Sequence, residues 1–155
     1  MRASRVALMC GCVTALALGG EPLFSFQTQL ETARGLDIDY RKCAAVVLSD
    51  QIRQLTNSDT AYISIFGEDP DSATLASLRR VHPRTALGSK VPSINAKHTH
   101  NWLFNFSDLH AVASQEYAAQ TGFYCGRLCA DAKEYRLKKD GDSCAVISSS
   151  ILWQS

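Results

Sequence analysis

The chain predicts an α+β protein: an N-terminal helix packed on an antiparallel sheet that ends in a three-strand meander. Three observations carry this. Apolar side chains recur at helical spacing between Asp37 and Thr56. They alternate from Gln115 to Cys125 and again from Glu134 to Lys138. Lys139-Asp140-Gly141-Asp142 then supplies a tight turn before a last apolar run, Cys144 to Trp153. At 155 residues, 46% hydrophobic and 20% charged, the chain has the length and composition of one folded domain with an ordinary core.

The first eighteen residues stand apart. Arg2 and Arg5 are followed by an uncharged run, Val6 to Leu18, and by small residues around Ala15, Ala17 and Gly19. A basic start, a short apolar run and a small-residue exit describe a secretory signal peptide, here 1–18 with cleavage near 17–20. The run is shorter than the roughly 20 residues that cross a bilayer, so no stable membrane span is expected after cleavage. The remaining chain, 19–155, is expected to form a single α+β domain that is secreted or periplasmic.

Within that domain, Glu21 to Gly35 reads as a short helix or an irregular packed arm. From Asp37 to Thr56, Tyr40, Cys43 or Ala44, Val47, Leu48, Gln51 or Ile52 and Leu55 form one apolar stripe. Asp37 and Asp39 stand where carboxylates cap a helix start. Thr60 to Phe66 is β-branched and aromatic, a buried strand; Gly67 to Ser72 is a turn; Asp71 or Ser72 caps a short helix through Leu75 and Leu78. His82 to His100, with Pro83, Gly88 and Pro92, reads as a surface excursion holding at most one short strand. Asn101 to Phe106 returns to strand, Ser107-Asp108 punctuates it, and Leu109 to Ser114 fits a strand or a helical turn. The Asp140-Gly141 pair favours a type I′ hairpin.

Export sets the cysteine arithmetic. Cys10 and Cys12 leave with the signal, and Cys43, Cys125, Cys129 and Cys144 remain, enough for two disulfides in any of three connectivities. Cys125-Gly-Arg-Leu-Cys129 is one residue longer than a C-x2-C redox motif and sits on a strand-like pattern rather than at a helix start. A second ligand pair at zinc-site spacing is missing. A clip across a tight loop, with Gly126 permitting the bend, fits better. Cys144 is left to close onto that hairpin or to reach back to Cys43.

The ending FYCGRLCADAKEYRLKKDGDSCAVISSSILWQS resembles the C-terminal signature of a group of exported bacterial proteins without an assigned activity. The matching residues are Tyr124, Cys125, Gly126, Leu128, Cys129, Tyr135, Leu137, Lys138, Lys139, Gly141, Trp153 and Ser155, so the resemblance covers about the last forty residues. It implies export and the hairpin register and carries over no catalytic residue. Where that group usually has a Trp just after the turn, this chain has Cys144.

Net charge is +1, so nothing in the charge balance calls for nucleic acid. There is no glycine-rich phosphate loop and no G-x-S-x-G elbow; Ser148, Ser149 and Ser150 lie in the last strand. No cofactor is expected. His98 and His100, with Asp108 and His110 nearby, are weak metal candidates lacking any specific ligand spacing. Trp102, Trp153 and Tyr124 are candidates for a ligand surface, since aromatic rings beside polar residues suit recognition. The expectation is therefore an exported, disulfide-stabilised, non-catalytic protein that binds a protein or small molecule. The competing class is a small metal-dependent or hydrolytic enzyme using the His98/His100 region.

Overall fold

In a computed structural model the described residues are 21–92, 100–126 and 129–154. The expected signal segment, its cleavage site, His98, Leu128 and Ser155 lie outside them.

The chain opens with helix α1 (Glu21–Arg34), which buries Leu30 and Ala33. Helix α2 (Tyr40–Ile52) follows, shorter than the expected span because Asp39 caps it: the Arg41 N–H donates to Asp39 Oδ1 at 2.9 Å. Its buried face is Cys43, Ala44, Val47, Leu48, Gln51 and Ile52, the stripe expected from the sequence. Strand β1 (Thr60–Ile65) leads to helix α3 (Ser72–Val81), where the Thr74 N–H donates to the Asp71 cap at 2.7 Å. Strand β2 (Thr85–Leu87) and a 3-10 turn (Gly88–Lys90) come next. Four long strands follow: β3 (Asn101–Ala113), β4 (Glu116–Gly126), β5 (Cys129–Asp140) and β6 (Ser143–Gln154).

The fold is α+β, as expected, with helices packed on one six-stranded sheet of order β2-β1-β3-β4-β5-β6. Two features depart from the sequence reading. First, the sheet is mixed: β1 runs parallel to both β2 and β3, since α3 returns the chain to the same end before β2. Second, the antiparallel meander has four strands rather than three. Ser107-Asp108 does not stop β3; a register shift between Phe106 and Asp108 absorbs the extra residue and the strand continues.

The hairpin turn also moves by one residue. Asp140 pairs with Ser143, so the two central residues are Gly141 and Asp142, and only Gly141 (φ 62°) has positive φ. That is the pattern of a II′ turn with glycine first, not the expected I′ turn centred on Asp-Gly. Asp142 is thereby free to face α2: its carbonyl accepts the Asp39 N–H at 2.7 Å, and its carboxylate pairs with Lys42. His82, expected in a surface excursion, is buried instead, with Nε2 2.9 Å from the Asp59 carbonyl oxygen.

The core lies between the helices and the inner face of the sheet. Phe104, Phe106 and Leu109 of β3, Tyr117, Ala119 and Thr121 of β4, and Tyr135 and Leu137 of β5 are all buried there. Two disulfides lock the arrangement. Cys43–Cys144 ties the first turns of α2 to the start of β6, and Cys125–Cys129 closes the loop between β4 and β5. The alternative left by the sequence is thus decided: Cys144 reaches back to the helix.

Candidate functional site

Helix α2 stops at Ile52, but the strands beneath it continue. Among the described residues no helix lies over the start of β3, the end of β4, the start of β5 and the end of β6 on the inner face, and a cleft of about 450 Å³ opens there. Trp102 and Phe104 on β3 and Phe123 on β4 form its aromatic wall. The Trp102 and Phe123 rings lie 5.3 Å apart and the Phe104 and Phe123 rings 5.8 Å apart. Ile151 of β6 adds an aliphatic edge.

The polar groups of the cleft come from both layers. Gln51, in the last turn of α2, donates from Nε2 to Thr121 Oγ1 at 2.8 Å, and this bond directs its amide. Among the described residues its Oε1 is buried with no hydrogen-bond partner, and so is Oδ1 of Asp131 on β5. The two residues are only 5% and 4% exposed, which makes both acceptors costly to leave without a donor. Lys133, two positions along the same face of β5, contributes an ammonium group.

Asp59 closes one side, in the turn between α2 and β1. Burial pushes its carboxyl up, but the Thr56 hydroxyl, His100 and the Thr56 N–H more than offset that and hold it at about 2. The Thr56 donors lie at 2.7 and 2.8 Å from Oδ2, and His100 Nδ1 at 3.0 Å from Oδ1. Among the described lining residues, two carboxylates (Asp59 and Asp131) stand against one ammonium (Lys133), so the cleft favours a cation.

The residues singled out by sequence are divided by this geometry. Trp102 lines the cleft. Tyr124 and Trp153 sit opposite Ala130 and Ala132 of β5, in register positions on the outer face of the sheet, so the three aromatics do not form one surface. His100 binds Asp59 at the cleft, whereas His110 pairs with Asp108 at 2.9 Å, ten residues along β3. No group of three or more His, Cys, Asp or Glu side chains suited to a metal occurs among the described residues. The four expected cysteines are paired and play no part in the cleft.

Gln51, Asp131 and Lys133 were not singled out by sequence, although two signals for them exist. Gln51 is the polar member of an apolar helical stripe. Stepping back by twos from Leu137 and Tyr135 reaches Lys133 and Asp131, placing a carboxylate on the core face of β5. Compared with known proteins, the chain matches no family model, no curated protein and no solved structure.

Proposed function

We propose that this is an exported, non-catalytic binding protein whose ligand sits in the cleft beyond α2, and that the ligand presents a protonated amine or similar N–H cation on a flat apolar body. The observation that carries this reading is a buried carboxylate oxygen, Asp131 Oδ1, without a partner among the described residues, on a residue that lines the same cleft as three aromatic rings. A buried acceptor calls for a donor, and an aromatic wall receives both the ring of a ligand and the positive charge attached to it. Gln51 Oε1 supplies a second acceptor for the same N–H group. The two disulfides support the exported setting, because such bonds persist in oxidising compartments.

Isothermal titration with tryptamine and 2-phenylethylamine, against indole and 3-phenylpropanoate, tests the ligand class. The amines should bind, the uncharged and anionic probes should bind at least about tenfold more weakly, and Asp131→Asn should remove that preference. Equal binding of all probes, or amine binding indifferent to Asp131→Asn in a variant with unchanged circular dichroism, would sink the cationic reading. Export has its own check. Protein from the exported fraction should begin near residues 18–21 and weigh four hydrogens less than its fully reduced form.

A further inference from the structure

The two edges of the sheet are unequal. β2 has three residues, a length that discourages edge-to-edge pairing, whereas β6 has twelve and contains neither a charged residue nor a proline. From Ala145 to Gln154 every residue of β6 is exposed, with Ile147, Ile151 and Trp153 each more than half so. Among the described residues the strand has one neighbour, β5, so apart from its two bulges, at Ile147 and Leu152, the hydrogen-bonding groups of its other side face outward.

The order of these residues is symmetric. Ala145-Val-Ile-Ser-Ser-Ser-Ile-Leu-Trp153 reads apolar, serine, apolar about Ser149. We infer that β6 pairs antiparallel with β6 of a second copy of this chain about a two-fold axis at Ser149. That register sets Ser148 against Ser150, Ile147 against Ile151, Val146 against Leu152 and Ala145 against Trp153, each pair occurring twice. Moving the axis to Ser148 or Ser150 would instead place serine against Val, Ile or Leu, so the like-with-like match selects one register. An isologous contact of this kind closes after two copies, because each copy's long sheet edge among the described residues is used in the same contact.

Charge permits the pairing: β6 carries no side chain that would meet its own sign across the axis. The Cys144 end of each strand would lie beside the Gln154 end of the other. Ile151 and Gln154, which edge the cleft, would then stand at the dimer boundary.

Sedimentation velocity on the oxidised mature protein tests this directly. The wild-type chain should dimerise, and Ser149→Lys or Ser149→Glu alone should raise the dissociation constant at least about tenfold, since each sets like charges face to face at the axis. An equimolar mixture of the two variants should recover the dimer as a heterodimer. Ile151→Lys, away from the axis, should weaken it as well. A wild-type chain that stays monomeric at about 200 µM overturns the proposal. So does a dimer whose affinity is unchanged in all three variants, with circular dichroism confirming that each is folded.

Discussion

Asp59 shows how one side chain organises the turn between α2 and β1. Its carboxylate accepts from the Thr56 N–H and hydroxyl and meets His100, while its own carbonyl faces the buried ring of His82. Three segments distant in sequence are thereby joined at the cleft mouth. Because the folded-state pKa, about 2, lies below the unfolded value of about 4, the stabilisation is complete above pH 4 and is lost as pH falls toward 2. Asp59→Asn should therefore cost about 1–2 kcal/mol in urea denaturation at neutral pH, a difference that closes between about pH 4 and pH 2. A gap that persists unchanged at pH 2 would assign the loss to shape rather than charge. Tyr117 offers a second case: its hydroxyl donates to Asp37 at 2.5 Å, and that bond together with burial pushes it up to about 12.

Among the elements, the cysteine pairs differ in what they constrain. Cys43–Cys144 closes a loop of 101 residues, and Cys125–Cys129 a loop of four. By the loop-entropy relation the first restricts the unfolded chain by about 4–5 kcal/mol and the second by about 2 kcal/mol. Replacing Cys43 and Cys144 together by serine should lower stability by roughly twice as much as replacing Cys125 and Cys129, measured by urea denaturation. Equal losses would show that native contacts, not chain entropy, dominate. The pairing of helix and strand is reinforced at the same place by Lys42 and the Asp39 N–H, which both engage Asp142. These contacts account for the turn falling on Gly141-Asp142: with Cys144 directed to α2, the β5–β6 register puts Gly141 at the first central position.

Taken whole, the molecule joins a parallel half, β2-β1-β3, to an antiparallel half, β3-β4-β5-β6. The join depends on the chain after β2 lying close on β1. A Cβ added at Gly88 would come 2.7 Å from the Ile63 carbonyl oxygen, a backbone atom that cannot step aside alone. Gly88→Ala should thus destabilise the fold by about 1–3 kcal/mol and lower its melting temperature, whereas a neutral substitution would show that the 3-10 turn moves freely. The cleft is likewise a property of the whole, since it exists only because α2 ends before the strands below it.

By itself the sequence determined the α+β class, the stripe of α2, the cap positions to within a pair of neighbours (Asp37 or Asp39, Asp71 or Ser72), the strand character of the C-terminal third and a set of four cysteines that suits two disulfides. All of these rest on interactions between near neighbours: periodicity, side-chain capping and the chemistry of thiols. Tertiary structure alone decided that Cys144 meets Cys43, that β1 runs parallel to β3, that His82 is buried and that Gln51 and Asp131 share a cleft. Each of those depends on which strands lie side by side and where a helix ends above them. Such positions are set by the packing of the whole core, and no local repeat in the chain encodes them.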